Sequence, residues 1–123
     1  MDTAYLAITI LLAAMVLWSG VAKVRRDPNV TRVIHEIVGV PLRYFPLLAA
    51  CEFAGALGMV LGILWPPLGM AAGIGLVLYF LGAAISHLRV SDVKGVGPAA
   101  FMLVLAAAAL ALRILTSRAA SAG

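Results

Sequence analysis

The sequence predicts an all-α integral membrane four-helix bundle with a short amphipathic helix in the first cytoplasmic loop. Three observations predict it. The chain is 64% hydrophobic and only 11% charged, with a mean hydropathy of +1.12, so it has little polar surface to offer water. Its apolar residues gather into four runs, residues 4–22, 45–65, 68–86 and 96–112. At 1.5 Å of rise per residue, each is long enough to cross a hydrocarbon core roughly 30 Å thick. The basic residues, finally, collect in two of the connections. The four runs take up nearly all of the 123 residues, which makes residues 1–123 a single transmembrane domain and places any chemistry inside the bundle or at its edges.

The first run is expected to be a retained helix and not a signal peptide, because Asp2 and no base precedes it and no Ala-x-Ala site precedes Lys23. In the following loop, Asp27-Pro28 supplies an N-cap and a proline at the first helical position. Val30, Val33, Ile34, Ile37 and Val38 then repeat at helical spacing, with Arg32, His35 and Glu36 on the other face, and Gly39 with Pro41 as the stop. This predicts a short helix on the membrane surface or under the bundle. The tight Trp65-Pro66-Pro67-Leu68-Gly69 turn makes the second and third runs an antiparallel hairpin. The fourth run is rich in alanine at 106–109 and 111, so it is weakly hydrophobic alone and depends on the bundle.

Small residues recur four apart: Gly58 and Gly62 in the second run, Gly69 and Gly73 in the third, and Gly82 with Ser86 further along it. Such spacing lets helix backbones approach where lipid removes the hydrophobic drive between helices, and it also suits a homo-oligomer face. Tyr5 and Trp65 are expected at the outer rim, and Trp18 and Tyr44 at the inner one. Lys23, Arg25, Arg26, Arg32, Arg43, Arg89 and Lys94 flank or fill the first and third connections, against Arg113 and Arg118 in the tail. This asymmetry puts both charged loops in the cytoplasm and both termini outside. The net charge of +4 is that of inner loops facing anionic lipid and calls for no nucleic acid.

Glu52 is the one acidic residue within the four runs. A carboxyl in hydrocarbon costs at least roughly 2.5–3.5 kcal/mol on insertion scales unless it is paired, protonated or hydrated, so it marks a site by default. Glu52 and Tyr79 each lie seven residues from the inner end of their runs, about 10 Å deep. Ser19 and Lys23 close the first run on that side, where a lysine stem can fold back to a carboxylate, and His87 and Arg89 follow the third. Glu52, Lys23, Tyr79, Ser19, His87 and Arg89 are therefore expected to converge on one inward-facing pocket. Cys51 stands alone, which excludes an internal disulfide or a CxxC pair, and is expected to be a small buried hydrophobe. His35 and His87 are the only histidines and sit in loops, so no metal site is expected, and no phosphate loop, zinc-protease or nucleophile-elbow motif is present.

Four segments taken together resemble the DoxX-like family of small four-helix membrane proteins: Ser19-Gly20-Val21-Ala22-Lys23, Val38-Gly39-Val40-Pro41, Glu52-Phe53-Ala54-Gly55-Ala56-Leu57-Gly58, and Ala83-Ala84-Ile85-Ser86-His87-Leu88-Arg89. The resemblance runs from about Leu12 to Val104. It implies roles for Gly20, Lys23, Pro41, Glu52, Gly55, His87 and Arg89, with Gly20 and Gly55 joining Gly58, Gly62 and Gly73 as packing positions. Asp92 falls near the family's acidic position after the third helix, with Val90-Ser91 where glycine is more usual.

The family is functionally mixed: its relatives include a membrane subunit of a thiosulfate:quinone oxidoreductase and a receptor-assembly chaperone. The resemblance thus implies a bacterial inner-membrane protein acting as a noncatalytic subunit or partner, of a quinone-linked redox system for example. It carries no evident cofactor, and its Glu52 pocket would hold a quinone, a lipid or another small lipophilic or anionic ligand. Two other classes remain open at this stage. One is a proton-coupled small-molecule transporter, although small multidrug exporters carry their glutamate in the first helix. The other is a membrane acid/base isomerase using Glu52, Tyr79 and His87.

Overall fold

The computed structural model describes residues 3–122, with side chains through residue 116; Asp2 and the Arg118 side chain lie outside the described residues. Five α-helices make up the fold: α1 (Thr3–Val24), α2 (Pro28–Thr31), α3 (Phe45–Leu61), α4 (Pro66–Arg89) and α5 (Val93–Ala122). α2 continues directly into a π-helical turn, Arg32–Ile37, and a 3₁₀ turn, Leu42–Tyr44, leads into α3. Four segments are long and apolar enough to cross a membrane: Thr3–Val24, Leu42–Leu61, Pro66–Arg89 and Val93–Thr116. The protein is an all-α, multi-pass membrane protein.

The caps follow local chemistry. Asp27 accepts from the backbone N–H groups of Asn29 (3.0 Å) and Val30 (3.3 Å), and Pro28 opens α2 behind it. The loop ends at Gly39, whose φ of +91° is costly for any residue with a Cβ. The turn between the second and third spans lies earlier than the sequence suggests. α3 stops at Leu61, residues 62–64 form the turn, and Pro66 and Pro67 open α4. Proline suits the first helical turn because its missing N–H would lack a partner there anyway. At the other end, α4 runs on to Arg89 and α5 starts at Val93, with Asp92 Oδ1 accepting from Gly95 N (3.2 Å) in the first turn.

The four long helices form a ring in which α1 packs on α3, α3 on α4, α4 on α5, and α5 back on α1. Each presents a stripe built of three- and four-residue steps. The buried positions are 5, 9, 12, 16, 20 and 23 in α1, 45, 49, 52, 56 and 59 in α3, 69, 73, 76, 80 and 84 in α4, and 102, 106, 109 and 113 in α5. Large apolar residues off the stripes, such as Ile10, Leu57, Leu78 and Val104, face outward, as lipid contact requires. Cys51 is off the stripe and exposed, so the expectation of a buried cysteine is wrong. Tyr5, expected at the rim, is on its stripe and fully buried, whereas Trp18 and Trp65 are exposed.

The glycines set how closely the ring closes. A Cβ on Gly62 would strike the Gly69 backbone, joining α3 to α4. One on Gly58 would lie 2.8 Å from Ala72 Cβ, and one on Gly73 would lie 3.1 Å from Leu110 Cβ. Gly82 differs, since nothing lies within 4 Å of such an atom and its carbonyl simply accepts from Ser86 Oγ at 2.8 Å. The Gly82 and Ser86 pair is therefore not a close-packing pair within this chain.

Candidate functional site

Lys23 and Ser19 lie one turn apart on α1, and that spacing puts them on one face. Glu52 comes from the middle of the α3 stripe and Tyr79 from α4. The four side chains meet. Lys23 Nζ lies 2.7 Å from Glu52 Oε1 and donates to Ser19 Oγ at 2.8 Å, while Tyr79 Oη–H donates to the same Oε1 at 3.1 Å. The lysine side chain is 8% exposed and the glutamate side chain 0%, so this is a buried ion pair and not a surface one. Glu52 Oε2 is buried without a hydrogen-bond partner.

Two glycines make the approach possible. Gly20, beside Ser19, leaves room for the Phe53 ring, which would lie 2.6 Å from a Cβ there, and so lets α1 close on α3 at the level of the ion pair. Gly55, one turn from Glu52, makes the same room for Leu76 and lets α3 close on α4 beside the Tyr79 contact. A buried pair of this kind gains from attraction and loses by desolvation, and breaking one partner is the costly change.

A cavity of about 1060 Å³ opens beside this cluster, between α1, α4, α5 and the first loop. Ser19, Lys23 and Tyr79 line it, but Glu52 does not, so the carboxylate acts on the cavity through its partners. Met15, Leu78, Phe101 and Met102 supply apolar wall. Val30, Val33, Ile34, Ile37 and Val38 line it too, so the apolar face of the first loop turns toward the bundle and roofs the cavity. His35 Nδ1–H, donating to Val40 O at 2.8 Å, pins the end of that loop.

His87 and Arg89 do not join the glutamate. His87 lines the cavity, but its Nδ1 donates to Asp92 Oδ2 at 2.8 Å. That hydrogen bond holds the Asp92 carboxyl below its usual range. Gly95 is what admits this pair, because a Cβ there would collide with both His87 and Asp92. Ser91 takes a φ of +59°, a conformation that glycine adopts without strain. Arg89 is exposed and borders a separate groove of about 410 Å³ with residues 38–41 and Tyr44.

A second polar centre, which sequence reading missed, sits at the proline-turn end. Arg113, read as a tail charge, is 4% exposed. Its Nη1 donates to the carbonyls of Gly62 (3.1 Å) and Ile63 (3.4 Å) at the end of α3, and its guanidinium lies 4.7 Å from the centre of the Tyr5 ring. Tyr5 Oη, Thr9 Oγ1 and Arg113 Nε are buried without hydrogen-bond partners. The signal was there in the spacing, since 102, 106, 109 and 113 continue one buried stripe.

These features define a class: a small four-span membrane bundle with a buried Lys–Glu pair beside an apolar cavity under an amphipathic loop. The chain belongs to the DoxX-like family, whose family model matches residues 7–109. No curated protein and no solved structure matches it.

Proposed function

We propose that this protein is a noncatalytic membrane subunit or partner that holds a lipophilic ligand, a quinone or a lipid, in the cavity beside Lys23, Glu52 and Tyr79. One observation carries the reading: an apolar cavity of about 1060 Å³ carries in its wall hydrogen-bonding groups that belong to a buried ion-pair cluster. Sites for drug-sized ligands are built this way, with mostly apolar walls and a few placed polar groups. The basic connections support a bacterial inner-membrane location with those loops in the cytoplasm and both termini outside. The cavity, lined by the first loop and the third connection, then lies at the cytoplasmic end of the bundle, where a protein partner or a second copy would dock.

The packed core speaks for binding over proton-coupled transport. Between the Glu52 cluster and Thr9, the inward positions are filled by Leu12, Val16, Ala56, Met59, Leu76 and Ala106, with no polar step among them. An acid/base isomerase draws its own support from the His87 and Asp92 hydrogen bond, which orients an imidazole on the cavity wall.

Trp18 lines the cavity and Trp65 lies at the opposite end, so tryptophan emission reports on the ligand. In lipid nanodiscs a decyl-substituted benzoquinone is expected to quench emission saturably, and Trp18→Phe is expected to abolish the saturable part. Equal, linear quenching of both tryptophans would defeat the reading. Affinity capture with mass spectrometry of bound proteins and lipids identifies the partner, and labelling of Val38→Cys and Leu64→Cys in a Cys51→Ser background tests the topology.

A further inference from the structure

The hydrogen-bond capacity of the cavity wall formed by Lys23, Ser19 and Tyr79 carries an inference about the ligand, and it rests on the cavity being a ligand site as proposed above. Lys23 has three ammonium protons. One goes to Glu52 Oε1 and one to Ser19 Oγ, which leaves one unspent. Ser19 accepts from Lys23, and among the described residues its own hydroxyl proton has no acceptor, so it too is available. Tyr79 gives its only proton to Glu52. Lys23, Ser19 and Tyr79 line the cavity, whereas the glutamate carboxylate does not. This wall therefore offers two unspent donors, while the Glu52 carboxylate, with Oε1 accepting twice and Oε2 unpartnered, stays off the cavity.

Charge narrows the ligand further. Lys23 and Glu52 cancel, so this wall with the carboxylate behind it is neutral as a unit. An anionic headgroup placed there would leave one uncompensated negative charge in an apolar surround, and an ammonium would leave a positive one, each a costly burial. The charged side chains that could hold an anion, Arg32 and Lys94, are exposed on the same cavity's wall near the loops, where screening by water makes pairing weak. We infer that the cavity selects an amphiphile with a neutral carbonyl headgroup (quinone, ketone or ester), seated with its oxygen on Lys23 Nζ and Ser19 Oγ.

The test compares chain-matched amphiphiles by native mass spectrometry of the purified full chain in one detergent: methyl decanoate, decanesulfonate, decylammonium and a decyl-substituted benzoquinone. The neutral carbonyl compounds are expected to bind at least about tenfold more tightly than either ion. Ser19→Ala, which leaves the ion pair intact, is expected to weaken them about three- to tenfold, the value of one hydrogen bond. Glu52→Gln makes this wall cationic and is expected to reverse the order in favour of decanesulfonate.

A preference for either ion in the unaltered protein, or an indifference of the carbonyl compounds to Ser19→Ala, overturns the headgroup inference while the cavity stands as an amphiphile site. Absence of binding by all four overturns the underlying reading as well. Within the expected result, the tighter of the ester and the quinone tells a lipid source from a redox one.

Discussion

The protein buries a cation at each end of its bundle, and the two are handled differently. Lys23 is neutralised by a carboxylate from the neighbouring α3 and shares it with Tyr79. Arg113 forms no ion pair among the described residues, and instead rests on two carbonyls at the end of α3 and on the Tyr5 ring. The end of a helix carries partial negative charge, so this second arrangement ties α5 to the α3–α4 turn without a second titratable group. Only the first centre lines the large cavity. A buried charge in a membrane bundle is thus a prompt to look for a site, and the cavity beside it is what separates a site from a brace.

The largest effect expected from breaking this comparison lies in the ion pair. Lys23→Ala or Glu52→Gln alone should each cost about 3–5 kcal/mol, and the double variant much less than their sum. A double-variant cycle on unfolding in detergent measures the coupling, and additive losses would mean that the two charges are not paired.

The next effect is steric. Gly62→Ala drives a methyl into the Gly69 backbone and should cost about 1–3 kcal/mol or more, whereas Gly75→Ala, with open space around it, should be neutral or stabilising by up to about 1 kcal/mol. Thermal melts of the two variants in one detergent decide it, and equal melts would place Gly62 away from the α3–α4 contact.

Arg113→Met sharpens the contrast between the centres. It removes charge-assisted hydrogen bonds and should cost about 1.5–3 kcal/mol, less than either single change in the ion pair, while leaving benzoquinone quenching of Trp18 unaltered. A loss as large as that of Lys23→Ala would show that Arg113 also has a carboxylate partner.

The smallest effect is pH-dependent. Asp92 has a depressed folded-state pKa, so its contribution to stability is fully present above the unfolded value of about 3.9 and is lost as pH falls through the folded value. Asp92→Asn should accordingly lower the neutral plateau of a stability profile slightly and flatten its acid limb below about pH 4, so that variant and parent converge at the lowest pH. An unchanged acid limb would assign that limb to other carboxylates.

Much of the site is readable along the chain because polar residues on an apolar stripe have one place to go. Glu52 lies on the 45-49-52-56-59 stripe, and Lys23 and Ser19 follow from a helix end at the same depth. Tyr5, Thr9 and Arg113 obey the same rule and were overlooked because terminal polar residues also suit a membrane rim, where spacing alone does not separate the two fates. His87 and Arg89 show the limit from the other side. Both lie at the right end of the bundle, but that says nothing about reach or rotation, and His87 has Asp92 five residues away as a nearer partner.

By itself, then, the sequence determined the class and the spans, since hydropathy, length and charge placement are properties of the chain that a bilayer reads directly. Proline and glycine positions likewise determined the caps to within a few residues. Tertiary structure decided which polar groups share a partner, that the apolar face of the first loop roofs a cavity, and that Arg113 is a brace. Those outcomes depend on how four helices rotate about their axes and how closely Gly20, Gly55 and Gly62 let them approach. They are set by packing between residues distant in the chain, which no single stretch of sequence contains.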